Sequence, residues 1–200
     1  MVISKPRAIS LLAICIVCII LLVALLSDLG VFDPLPESEL LWQEELQAMH
    51  VPPKSAEVRW LKEELPQAPL EIRLTAAYGD GEIDSGYGLI LGQEKGSISI
   101  MISPLGYAAV SQQWNGDELG IVDFLVPWQT WPHIRTGDDI NELIIYLDSD
   151  KMTARINREW FWEGEGFEPI RAAGVIGESF GNAVTINFNS AEISAVEKSQ

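Results

Sequence analysis

A two-residue rhythm runs through the chain from about Ala56 onward, and it leaves little choice of fold. Ile72, Leu74, Ala76 and Tyr78 alternate with Glu71, Arg73, Thr75 and Ala77. Ile98, Ile100 and Ile102 alternate with serines at 97, 99 and 103, and Val184, Ile186 and Phe188 with Thr185, Asn187 and Asn189. Successive side chains of a strand point to opposite faces, so the pattern predicts half-buried antiparallel strands with one face on a core. Turn-forming residues cut the rhythm at short intervals: Gly79-Asp80-Gly81, read as a hairpin turn, then Pro104-Leu105-Gly106, Asn115-Gly116-Asp117, Gly137-Asp138-Asp139, Asp148-Ser149-Asp150 and Asn157-Arg158. Asn115-Gly116 is the residue pair that suits the positive φ angles a two-residue hairpin demands. About ten such strands with no helix between them predict an all-β, antiparallel, two-sheet jelly-roll sandwich over residues 56–196.

Upstream the pattern differs. Ala8 to Leu26 reads AISLLAICIVCIILLVALL, with Ser10 its only polar member. An uncharged run of that length suits a membrane-spanning helix. Lys5 and Arg7 precede it and the first charge after it is Asp28. The positive-inside bias then predicts a cytoplasmic segment 1–7, an anchor over 8–27 and an extracytoplasmic remainder, in a single-pass membrane protein. A cleaved signal peptide is the alternative, but its apolar region is expected to be shorter and to end in a small-x-small site. Residues 28–55 are read as a spacer. Within it, Leu40, Leu41, Trp42, Leu46 and Met49 fall near helical spacing and Val51-Pro52-Pro53 follows, predicting a short amphipathic helix over 37–50.

Charge and ligand counts exclude several functions. Beyond the apolar run lie all 29 acidic residues and 11 of the 13 basic ones, a net charge of −18. A phosphate backbone would be repelled by that surface, so no nucleic-acid partner is expected. Both cysteines, Cys15 and Cys18, lie inside the apolar run, which leaves the remainder without disulfides or a thiolate site. His50 and His133 alone cannot supply a zinc ligand set.

The order of several segments resembles the concanavalin A-like lectin/glucanase superfamily, in particular its laminin G-like and keto-disaccharide-hydrolase-like modules. The segments are DSGYGLIL (84–91), SISIMISPLGYAAV (97–110), the stretch 127–157 from PWQTWPHIR to TARIN, AAGVIG (172–177) and VTINFNSAEI (184–193). The resemblance implies a jelly roll that in different relatives binds sugars, binds proteins or spaces other domains. At Asn157 the family usually continues with Gly; here Arg158 follows, which puts the two-residue turn in question.

Residues 81–88, GEIDSGYG, resemble the catalytic strand of lichenase-type hydrolases, with Glu82 and Asp84 at the nucleophile and helper positions. The acid/base would then fall on Gly86 or Tyr87, and neither can protonate a leaving oxygen in the usual way. Glycoside hydrolysis is therefore not expected, and no catalytic residue is assigned. Tryptophans offer a different chemistry, because an indole pairs a large apolar face with one N–H donor. Trp131 and Trp162 are taken as ligand-binding candidates with Trp128, although relatives carry a core-capping aromatic near Trp128. Asp138, Asp139 and Asn141 form a loop cluster of oxygen ligands suited to calcium, though Asp is also ordinary turn chemistry. The sequence thus predicts a membrane-anchored, extracytoplasmic, non-catalytic binding module. Its favoured ligand is a glycan; the alternative is a structural or protein-interaction domain of an envelope assembly. No cofactor beyond that calcium is expected.

Overall fold

The computed structural model describes residues 5–28, 38–67, 69–114, 122–149 and 151–196. The chain forms two units, Met1–Pro36 and Glu37–Gln200. The first contains α1 (Lys5–Asp28), which spans the apolar run. The side chains described in α1, those of residues 14–25, are all exposed. Among the described residues, no helix is long and apolar enough to cross a membrane. Most of the spacer at 28–36 and the Asn115-Gly116-Asp117 turn lie outside the described residues.

The second unit is an antiparallel two-sheet sandwich of β1 (Ser38–Glu45), β2 (Met49–Val51), β3 (Ala56–Lys62), β4 (Leu70–Gly81), β5 (Ser85–Gly92), β6 (Gly96–Ile102), β7 (Tyr107–Trp114), β8 (Val122–Thr130), β9 (Asn141–Asp148), β10 (Lys151–Ile156), β11 (Glu159–Glu165), β12 (Ala172–Ser179) and β13 (Val184–Val196). Sheet A has the order β1-β13-β4-β9-β10-β11, with β2 also on β13; sheet B has the order β3-β12-β5-β6-β7-β8. The alternation read from sequence points where expected: Ile72 and Leu74 of sheet A and Leu89, Ile98, Ile100 and Ile102 of sheet B are buried in one core.

The helix expected over 37–50 is not there. The segment forms β1 and β2, both laid along β13: Glu45 lies opposite Ser190, Met49 opposite Ile186 and Val51 opposite Val184. A lone amphipathic helix of that length is marginal in water, whereas the long edge of β13 satisfies the backbone of both strands. A register shift between Leu40 and Trp42 accommodates the three consecutive apolar residues that mimicked helical spacing. Trp42 and Leu46 turn to the core while Leu40 and Leu41 stay exposed. The sandwich thus begins at β1, not at 56.

A second correction concerns Gly79-Asp80-Gly81. These residues complete β4, and the connection is 82–84. It is not a hairpin turn, because β4 belongs to sheet A and β5 to sheet B. The Asn157-Arg158 turn, by contrast, forms despite its missing glycine, with φ of 52° and 75°. Left-handed backbone costs a non-glycine residue roughly 1 kcal/mol or more. Arg158→Gly is therefore expected to stabilise the fold by about 0.5–1 kcal/mol, read as a higher urea midpoint. Its loss of the exposed 3.6 Å contact to Glu142 subtracts little.

Candidate functional site

The outer face of sheet B is built from what the core does not use. Tyr87, Leu89 and Leu91 of β5 are in the core, so Gly86, Gly88, Ile90 and Gly92 face outward. Their neighbours on that face are Ser99 and Met101 of β6 and Gly174, Ile176 and Glu178 of β12, by the ladder register. Glycine in three of four outward positions makes a low floor, and aromatic side chains from the strand ends close over it. Trp128 of β8 packs on Ile90, Met101 and Ile176. Its indole lies so near Gly86 that a Cβ there would come within 2.9 Å of Cη2. Phe180 meets Trp128 edge to face, with centroids 5.9 Å apart and planes at 86°.

These two rings, with Asp84, Ser103, Leu105 and Tyr107, line an open cavity of about 540 Å³. Phe180, Leu105 and Tyr107 are each about two-fifths exposed, a group of apolar walls on a surface otherwise rich in acids. The β6–β7 turn presents two of them: Ser103 Oγ accepts the Leu105 N–H at 3.2 Å, and Gly106 takes the left-handed conformation with φ of 86°. Across the cavity the Phe180 N–H donates to the Asp84 carbonyl at 3.1 Å. A cavity with aromatic walls, one carboxylate and two hydroxyls can hold a ring with an apolar face and polar edges. On the far side of Phe180 a smaller cavity of about 320 Å³ is lined by Lys54, Ser55, Ala56, Glu178, Ser179 and Phe180. Burial holds the Glu178 carboxyl above the ordinary carboxylate range.

Glu82 does not share in either cavity. Its carboxylate accepts the Asn182 N–H at 2.9 Å, Asn182 Nδ2 at 3.2 Å and the Asp84 N–H at 3.3 Å. Those donors, the Asn182 backbone first, lower its pKa. Glu82 fastens the 82–84 connection to the 180–182 loop, while only Asp84 of the GEIDSGYG pair reaches a cavity.

The remaining candidates are scattered. Trp131 is wedged between Phe161 at 5.3 Å and His133 at 5.5 Å, with its Nε1 buried and unpaired. Trp162 of β11 packs on the core and on Phe167, at 5.7 Å. Neither lines the cavity of Trp128. Asp138 and Asp139 are exposed, whereas Asn141 is fully buried. Asn141 Oδ1 accepts the Arg135 N–H at 2.8 Å and Asn157 Nδ2 at 2.7 Å, so that oxygen is occupied by donors. Among the described residues no three His, Cys, Asp or Glu side chains converge on a metal position. A larger cavity, about 790 Å³, opens at strand ends near Leu70, Met152 and Phe167. Of its charged lining residues, Glu168 pairs with Lys95, Lys151 with Glu163 and Arg171 with Glu94.

Phe180, Tyr107 and Leu105 escaped the reading from sequence because each stands alone between turn residues. Alternate glycines at 86, 88 and 92, opposite buried Tyr87, Leu89 and Leu91, were the available signal that one face of β5 is kept low.

No family model matches the chain, and no curated protein matches it. Solved structures do. The laminarinase catalytic domain from Thermotoga maritima superposes with a TM-score of 0.54 at 8% identity, over 81% of this chain and 100% of that one. The Bacteroides ovatus mixed-linkage glucan GH16 superposes at 0.50 and 8% identity, over 73% and 79%. A Caenorhabditis elegans galectin is found at 0.46 and 12% identity, over 76% and 94%. The fold is a concanavalin A-like jelly roll. At these identities the likeness is one of fold alone.

Proposed function

We propose that this concanavalin A-like sandwich is a non-catalytic glycan-binding module, anchored to the membrane by residues 8–27 and displayed on the extracytoplasmic side. The observation that carries the binding reading is the aromatic cavity of Trp128, Phe180 and Tyr107 on the outer face of sheet B. Aromatic rings beside a carboxylate and two hydroxyls match the two-sided chemistry of a sugar, apolar on its C–H face and polar at its rim. Trp128 is taken as the principal contact in place of Trp131 and Trp162, because it lines this cavity and they do not. The non-catalytic part rests on Glu82, whose carboxylate is held by the 180–182 loop, and on Gly86, where an acid would be needed. Anchoring rests on the apolar run and its flanking charges. The interaction-domain alternative relied on a docking helix at 37–50, and that segment is spent in sheet A.

The test is a glycan array probed with the full chain and with Trp128→Ala, Trp162→Ala and Phe180→Ala. Neutral oligosaccharides should bind; Trp128→Ala should weaken them at least ~10-fold, about 1.4 kcal/mol, and Trp162→Ala should leave them unchanged. Binding that survives Trp128→Ala and Phe180→Ala would remove the cavity from the reading.

A further inference from the structure

The far end of the same face carries a second indole. Trp60 of β3 is 43% exposed and lies opposite Gly174 in the β3–β12 ladder. A Cβ on Gly174 would come within 3.0 Å of Trp60 Cε3, and one on Gly92 within 3.3 Å of Cη2. The ring therefore lies over glycines of two adjacent strands, one face on backbone and the other toward solvent. Trp128 bears the same relation to Gly86. A glycine seat allows an indole to lie flat on a sheet, as a platform rather than a core filler.

The two seats lie on one strand. Gly86 and Gly92 both face outward on β5, six residues apart, which at roughly 3.3 Å per residue is about 20 Å. Between them on the outward face lie Gly88, Ile90, Ser99 and Met101, with Trp128 packed on Ile90 and Met101; neither β5 nor β6 contains a charged residue, and Glu178 of β12 stands beside Gly86 at one end. We propose that Trp60 and Trp128 are the two stacking platforms of one groove, which takes a linear, uncharged saccharide chain lying along β5 and long enough to reach both. This rests on the glycan reading of the Trp128 cavity and adds to it the length and direction of the ligand. A terminal sugar would use the cavity alone, and would leave a second glycine-seated indole about 20 Å away without a role.

The experiment is a titration of the full chain, in a detergent without a sugar headgroup, with linear β-glucan oligomers of increasing length from the disaccharide upward. Affinity should climb with length and then level off, with a total gain of at least ~10-fold. Trp60→Ala should erase that gain and leave disaccharide binding unchanged; Trp60→Phe should restore part of it. Trp128→Ala should weaken every length. A flat length series, or a Trp60→Ala protein that still shows the gain, overturns the groove and leaves the cavity reading standing. Absence of binding at every length overturns the cavity reading for this class, and the groove with it. An unchanged thermal midpoint in Trp60→Ala separates loss of a platform from loss of fold.

Discussion

Gly88→Ala is expected to destabilise the sandwich by about 3 kcal/mol or more, at the upper end of what overpacking costs. A Cβ at this position would collide with the Ile100 carbonyl oxygen and lie 2.9 Å from Met101 Cα and 3.0 Å from Ile100 C. All three atoms are backbone, so no rotamer change relieves the clash, and β5 and β6 would have to separate where they pair at Gly88 and Met101. The neighbouring position makes the contrast. At Gly86 the added Cβ meets the Trp128 indole, which can swing away. Gly86→Ala is accordingly expected to weaken ligand binding more than it lowers the urea midpoint, whereas Gly88→Ala lowers the midpoint first. Equal midpoints for the two variants would show that Gly88 is not a packing requirement of sheet B.

Asn141→Ala has an expected cost of similar size, about 3–5 kcal/mol, by a different mechanism. The side chain is fully buried and makes five hydrogen bonds to four residues. Besides the two donors to Oδ1, its Nδ2 donates to the Arg135 carbonyl at 2.8 Å, the Asp139 carbonyl at 3.2 Å and the Tyr87 hydroxyl at 3.3 Å. Asn157 continues the network to the His133 carbonyl at 2.7 Å, so the 132–140 loop is bound to the β10–β11 turn through these two amides. Truncation strands several buried groups at once, each costing about 1–3 kcal/mol when left unpaired. Tyr87, whose phenol burial pushes up to about 12, would lose its amide partner in the core. Chemical denaturation of Asn141→Ala should show the loss with or without calcium. A variant stable in chelator but responsive to added calcium would return Asn141 to the metal set with Asp138 and Asp139.

The fold was legible because its main signal is local. The alternation at 72–78, 98–102 and 184–188 reports which face of each strand is buried, and those residues line one core. The segment 37–50 misled because edge strands need no clean alternation: most of β1 is exposed, and a register shift at Leu40–Trp42 breaks the period. What made it a strand was β13, nearly 150 residues away, which no local pattern contains. The site was harder for the same reason. Its walls come from the 82–84 connection, the β6–β7 turn, the end of β8 and the residue after β12, and only the ladder register brings them together. Tryptophan was the right residue type to follow, but sequence gives no measure of which ring is pinned between others. Trp131, beside Phe161 and His133, and Trp60, on two glycines, look alike until their neighbours are known.

The most direct measurement is a two-dimensional NMR titration that follows the indole N–H signals while a linear β-glucan oligomer is added to the full chain. Single Trp→Phe variants assign the signals of Trp60, Trp128, Trp131 and Trp162. The expected result is that Trp128 and Trp60 shift in step with saturation while Trp131 and Trp162 stay still. Shifts confined to Trp131 and Trp162, with Trp128 unmoved at saturation, would contradict a binding face on sheet B.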